Sequence, residues 1–400
     1  MPALTRSSDN NSKRKILHII TGLERGGAET MLFSLLSRSD RERFAPMVVS
    51  LTDIGPVGDR IAELGIPLRA LGMPRGRLTL RGIGTLIRWI REQRPAIVHC
   101  WMYHACLLGG IAARLAGRYP VLWGIHHTAL DPAHMKRSTI WTAHLAGLFS
   151  NWASDRIIYC AETAQRVHRS IGYAKHDEVI ANGFDLSRFR PDPRSRKDVR
   201  EELEIPEDSI LIGLVGRFDP LKDHATFLAA AALLHARHPN AHFLLCGDGV
   251  TPDNPSLKAE ISVASLAKQC HFLGRREDIP RIQASLDIAT SSSLAEAFPL
   301  AIGEAMACGV CCVVTDVGDS ALLVGDTGIV VLPRNPGALA QAWTNLLETS
   351  VIDRSQRGEN ARRRVNENFD LQLIVDRYEA TYEREMQSWK SKNSLGKIFP

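Results

Sequence analysis

Apolar residues along this chain fall into short runs separated by longer periodic stretches. Mostly apolar runs at 15–21 (KILHIIT), 47–51, 67–71, 97–101, 121–125, 156–160 and 179–184 read as strands. KILHIIT reads as a buried strand, and the unbroken run at 310–315 fits a strand covered on both faces. Helical spacing is predicted between them at 30–37, 56–64, 78–93, 105–115 and 163–170. The alternation then restarts. Strands are predicted at 210–215, 242–246, 271–273, 286–290 and 310–315, and helices at 224–235, 256–268 and 279–284. Asn335 caps a helix over 336–347, and a long helix covers 371–386. Strand–helix alternation twice over predicts an α/β protein of two doubly wound, Rossmann-like parallel sheets, whose strand ends face one another across a cleft.

The break between the halves falls at SRFRPDPRSRKD, from Ser187, where Pro and Arg accumulate as in a linker. The expected organisation is a disordered polar tail (1–14), an N-terminal domain (15–186), a linker (187–208) and a C-terminal domain (209–370). A final helix (371–390) returns to the first domain. Four hundred residues exceed one ordinary core, in keeping with two domains.

Candidate chemistry concentrates at 286–332. After a short strand come three serines, then a loop containing Glu296, then Pro299, which suits a first helical turn because it has no N–H to lose. The helix runs through Glu304 and stops at Gly309, a residue that tolerates the left-handed cap. Glu304 lies ~7.5 Å along the axis from Pro299. Free N–H groups at Phe298 to Leu300 favour phosphate. A nucleoside diphosphate on the helix end would put its ribose at Glu304 and its distal group at Glu296. Arg217 and Lys222, in the loop opened by Gly216, supply cations for the diphosphate. GLERGGAE, with Gly26 and Gly27, is a glycine-rich turn that allows close backbone approach. His126 and His127 end a predicted strand, where such a pair could orient a hydroxyl or neutralise a phosphate.

Charge is uneven. Residues 1–190 carry 26 Lys and Arg against 15 Asp and Glu, while the rest is net acidic. A basic first half suits an acidic substrate or an anionic membrane surface. The helix at 78–93, with Arg81, Arg88 and Arg91 beside Trp89, reads as a packed helix with a solvated face, membrane-surface contact being the alternative. No run reaches the length of a membrane span, and the polar N-terminus lacks an apolar signal core, so a cytoplasmic protein, peripheral at the inner face of the cell membrane, is expected. The eight cysteines read as reduced core thiols; Cys308, Cys311 and Cys312 lack the second ligand group a metal site needs. No nucleic-acid module is recognisable.

These segments together resemble the retaining glycosyltransferases of family 4, with the GT-B fold, of the GGAE-loop type found in polysaccharide biosynthesis. The E-x7-E motif, EAFPLAIGE from Glu296 to Glu304, carries most of the likeness, supported by GLERGGAE, VIANGFDLSRFRP and VGRFDPLK. The resemblance implies roles. Arg217 and Lys222 hold the donor diphosphate, and Glu304 binds the ribose. Glu296 with Ala297, Phe298, Pro299 and Leu300 holds the donor sugar. Gly26 and Gly27 close over the donor, His126 or His127 lies beside the sugar, and backbone at Gly274 and Arg275 holds the base. It implies transfer from a nucleotide diphosphate sugar, a UDP-sugar foremost, to a hydroxyl of a lipid-linked saccharide or cell-surface polysaccharide precursor, with retention. No D-x-D occurs, in keeping with a metal-independent route, and no cofactor is expected. A nucleotide-sugar epimerase of the same architecture and a non-catalytic sugar- or nucleotide-binding protein stay open. A dinucleotide-dependent dehydrogenase does not fit, because neither half opens with G-x-G-x-x-G.

Overall fold

β1 (Arg14–Ile20) shows why apolar residues sit at both alternate sets of its positions. Leu17 and Ile19 enter one core while Ile16 and Ile20 enter another, so helices cover both surfaces of the strand. The structure, a computed structural model, describes residues 13–74, 79–128, 130, 132, 135–264 and 266–395. The polar tail up to residue 12 and Leu78 lie outside the described residues.

The first half continues through α1 (Gly27–Arg38), β2 (Phe44–Ser50), α2 (Gly55–Glu63), β3 (Leu68–Ala70), α3 (Leu80–Gln93) and β4 (Ile97–Trp101). Then come α4 (Tyr103–Ala116), β5 (Val121–Ile125), α5 (Arg137–Ala153), β6 (Arg156–Tyr159), α6 (Glu162–Ser170) and β7 (Asp177–Val179). The strands form a seven-stranded parallel sheet in the order β3-β2-β1-β4-β5-β6-β7. Helices α3, α4 and α5 pack on one face, α1 and α2 on the other.

The second half runs through α7 (Pro193–Glu202), β8 (Ile210–Val215), α8 (His224–His235), β9 (Ala241–Cys246), α9 (Pro255–Ala264), β10 (Cys270–Phe272) and α10 (Ile279–Ser285). It continues with β11 (Ile288–Ser291), α11 (Leu300–Ala307), β12 (Cys311–Thr315), α12 (Ser320–Val324), β13 (Ile329–Val331), α13 (Pro336–Glu348), α14 (Val351–Phe369) and α15 (Leu371–Leu395). Its six-stranded parallel sheet has the order β10-β9-β8-β11-β12-β13. Asn335 caps α13 by accepting from Ala338 N–H at 2.9 Å, and Gly309 ends α11 at φ +75°. α15 leaves its own half and packs Ile374, Val375, Tyr378 and Tyr382 beneath the first sheet with α1. The fold is therefore two Rossmann-like, doubly wound domains.

Three sequence readings change. The Pro- and Arg-rich segment at 187–208 contains α7, which packs on α10 of the second domain and is tied there by Arg196 and Arg200, both 2.7 Å from Asp287. Buried Arg200 explains why this helix looked polar. The run at 179–184 keeps only Val179 in a strand. After Ile180 donates to the Tyr159 carbonyl, the chain leaves the sheet edge and crosses to the second domain. There Phe184 pairs with the returning chain at Asp370, so the two crossings run side by side. The helix at 78–93 is packed, as the first of its two readings has it: Trp89 lies on the first core under the Arg69 guanidinium, which leaves no Trp face for a membrane. Helices α5 and α14 had no counterpart in the sequence reading. All eight cysteines are free and buried. Among the described residues, no helix is long and apolar enough to cross a membrane.

Candidate functional site

Each sheet reverses its strand order at one point, between β1 and β4 in the first domain and between β8 and β11 in the second. Ligands bind outside the carboxyl ends of strands at such switch points. The loops that leave these four strands carry most of the predicted residues: Gly26–Gly27 after β1, Arg217 and Lys222 after β8, and Glu296 after β11.

Glu296 is the best-held of them. Its Oε1 accepts from Lys222 Nζ at 2.5 Å and from Ser293 Oγ at 2.7 Å. Its backbone carbonyl accepts from Thr128 Oγ1 of the first domain at 2.6 Å. Gly318, at φ +56°, backs this carbonyl so closely that a Cβ would overlap it. Lys222, Ser293, Glu296, Pro299 and Leu300 line one small cavity at the start of α11. Pro299 sits just before the helix rather than inside its first turn, and the first N–H groups of α11 have no intrahelical acceptor. Phe298 is buried and Ala297 accepts from Asp319 N–H, so both fix the loop rather than face the cavity. Lys222 also folds over Gly216, where a Cβ would lie 3.5 Å from its Cε.

Arg217 stands at the rim, ion-paired to Asp219 at 3.1 Å. Its charge reaches across the cleft to His127 and to Glu29. Gly27 faces the same gap, where an added Cβ would lie 3.7 Å from Leu300 Cδ1 of α11. Gly26 precedes α1 in extended conformation, so that Glu29 folds back against it.

The two histidines sit on an aromatic floor. His126 stacks on Trp101 at 5.1 Å between centroids, and His127 stacks on Tyr103 at 5.7 Å. Met102, between the two aromatics, takes φ +73°, a costly backbone for a side chain with a Cβ, and this turns its neighbours under the two imidazoles. Both ring nitrogens of His126 are shielded from solvent without a hydrogen-bond partner among the described residues. Burial pushes His126 down to about 3 and lowers His127, with Arg217 adding to the latter. Burial thus favours the neutral imidazole at both positions, which suits hydrogen bonding to a hydroxyl.

Glu304 lines a cleft of about 420 Å³ between α1, α11 and the crossing at Gly183–Phe189, with Arg60 and Arg188 opposite. Burial pushes its carboxyl up to about 7, and Arg188 opposes the rise. Gly274 takes φ +58°; its N–H donates to Val250 and its carbonyl accepts from Gly247, so both backbone groups are engaged inside the second domain. Arg275 pairs with Glu277 at 2.6 Å, and Arg25 of the first domain reaches the same carboxylate at 2.8 Å, closing that end of the cleft.

The sequence reading missed three contributors. Glu29 was visible inside GGAE as an acidic residue in a first helical turn. Thr128 lay one residue beyond the histidine pair. Asp319 gave no local signal, because its partners, the N–H groups of Glu162 and Thr163, belong to the other domain.

Comparison with known proteins bears on the family and the fold. Residues 25–188 match the family model of glycosyltransferase family 4, and residues 209–349 that of glycosyl transferases group 1. The chain is 26% identical over 310 residues, 76% of its length and 79% of the relative's, to the UDP-Gal:alpha-D-GlcNAc-diphosphoundecaprenol alpha-1,3-galactosyltransferase of Escherichia coli. It is 24% identical over 363 residues to the lipopolysaccharide core biosynthesis mannosyltransferase LpsB of Rhizobium meliloti (strain 1021), covering 87% of this chain and 96% of that one. The crystal structure of Anabaena Alr3699/HepE in complex with UDP superposes with a TM-score of 0.82 at 24% identity, over 92% of this chain and 100% of that one.

Proposed function

We propose that the chain is a glycosyltransferase of GT-B architecture and family 4 type that moves a sugar from a UDP-sugar to a hydroxyl on a lipid-linked saccharide. The observation that carries the reading is the Lys222–Glu296–Ser293 cluster at the start of α11, facing Gly27 and His127 across the gap. The donor diphosphate lies between Lys222, Arg217 and the α11 amides, whose positive helix end stands in for a metal cation. Glu304 accepts from the ribose hydroxyls, and Glu296 with one neutral histidine holds the sugar. The acceptor hydroxyl attacks the anomeric carbon from the face the diphosphate leaves. The carbon–phosphate-oxygen bond breaks, and the acceptor proton passes to the departing diphosphate oxygen, so the anomer is retained.

Closing the cleft excludes water, which otherwise competes as acceptor. The lipid-linked acceptor is supported by the basic first domain and by the diphosphoundecaprenol-linked acceptor in the name of the Escherichia coli relative. A thermal-shift series tests the donor half, because a ligand that binds only the folded state raises the melting temperature. UDP and UDP-sugars should raise it by several degrees, and Lys222→Ala should abolish the gain. Equal shifts in wild type and Lys222→Ala would sink the assignment.

A further inference from the structure

Helix α5 is built inside out. Its packed face is Ala143, Ala146, Gly147, Ser150 and Ala153, all small. They bring α5 so close to α4 that a Cβ on Gly110 would collide with the Ala153 carbonyl. The large apolar side chains point to solvent instead. Trp141 and Leu148 are each 76% exposed and Trp152 is 51% exposed, with Leu145 and Phe149 also outward. Residues 141, 145, 148 and 152 recur at helical spacing and form one stripe. A continuous apolar surface of this kind marks a contact that removes it from water.

Charge identifies the occupant. No Asp or Glu occurs between Pro132 and Ser154, and exposed Lys136 and Arg137 stand at the start of the helix. At the other end, Arg114 donates to the Trp152 carbonyl and lies over the Trp389 ring, which brings the end of α15, with exposed Lys390 and Lys392, alongside. Two copies meeting through this stripe would press one basic end against another. An anionic bilayer satisfies both the aromatic stripe and its cationic ends.

We propose that the Trp141–Trp152 face of α5 inserts into the headgroup region of an anionic membrane, with Lys136 and Arg137 on lipid phosphates. α5 follows the segment after His126–Thr128 at the carboxyl edge of the first sheet, so this docking brings the mouth of the cleft to the lipid surface. Its purpose rests on the lipid-linked acceptor proposed above, whereas the contact itself is independent of any transfer.

The test uses the full chain with phosphatidylcholine vesicles, with and without phosphatidylglycerol. Wild type should sediment with the phosphatidylglycerol vesicles and shift its tryptophan emission to the blue, and added salt should weaken the binding. Trp141→Ser/Leu148→Ser should lose about tenfold in bound fraction while keeping the UDP thermal shift. Equal sedimentation of variant and wild type would overturn the proposal. So would a wild-type dimer in sedimentation velocity that the double variant dissociates, since the stripe would then serve a second copy. A lost UDP shift in wild type with vesicle binding intact would count against the donor reading alone.

Discussion

Among single residues, Glu304 is the one whose environment makes the sharpest demand. A carboxyl in an unfolded chain titrates near ~4.3; burial holds Glu304 at about 7. Between those values the folded protein keeps a proton that the unfolded chain has released, so stability falls as pH rises through that window and levels off above it. Glu304→Gln removes the burden. It should raise stability at pH 8 by about 1–3 kcal/mol and change it little at pH 4, read from denaturant melts at the two pH values. The same variant should bind UDP about tenfold more weakly, because an amide offers the ribose one acceptor where the carboxylate offers two. A stability difference that is the same at both pH values would show that Glu304 is not the titrating group. The residue was visible in the sequence as a lone carboxylate on an otherwise apolar helix. The cation that shares its cleft, Arg188, was not, because Arg188 comes from the crossing between the domains, far from Glu304 in sequence.

For whole elements, α11 shows how closely the donor helix is tied to the crossing. Gly303 leaves room for the Phe184 ring, which a Cβ would overlap. In an exposed helix Gly→Ala stabilises by ~1 kcal/mol. Here the sign should invert, with Gly303→Ala destabilising by about 1–3 kcal/mol. Adding Phe184→Leu should recover part of that loss, in a double-mutant cycle followed by denaturant unfolding. Additive losses would mean that the two residues do not share the space. Legibility follows the same logic of where large side chains go. β1, β8 and α13 were readable because apolar runs and an Asn cap act locally. α5 was not, since it buries alanines and exposes tryptophans, the reverse of an amphipathic pattern. α14, rich in Arg, Asn and Glu, buries only Gly358, Ala361, Val365 and Phe369 along its length, too thin a stripe to stand out. α7 hid behind its arginines, whose partner Asp287 lies far along the chain.

Across the whole molecule, the two domains are joined by a helix cap made in trans. Asp319 of the second domain accepts from the N–H groups of Glu162 and Thr163, at 2.6 and 3.0 Å, and so caps α6 of the first. A carboxylate there also meets the positive end of the helix dipole. The same residue donates its own N–H to Ala297, next to Glu296, whose carbonyl Thr128 holds from the first domain. The loop proposed to grip the donor sugar is therefore part of the contact that keeps the cleft shut, so a change in that loop changes closure. Two charge-assisted hydrogen bonds, lost to water on opening, are worth ~1.5–3 kcal/mol each at most. Asp319→Ala should then lower kcat/KM for transfer by roughly 10–100-fold and raise the radius of gyration in small-angle scattering. UDP affinity should move little, because Lys222, Arg217 and the α11 amides stay on one rigid domain. Asp319→Asn, which keeps one acceptor of the same shape, should fall between. If Asp319→Ala leaves both the scattering and kcat/KM of wild type intact, closure is set elsewhere and the cap only stabilises α6.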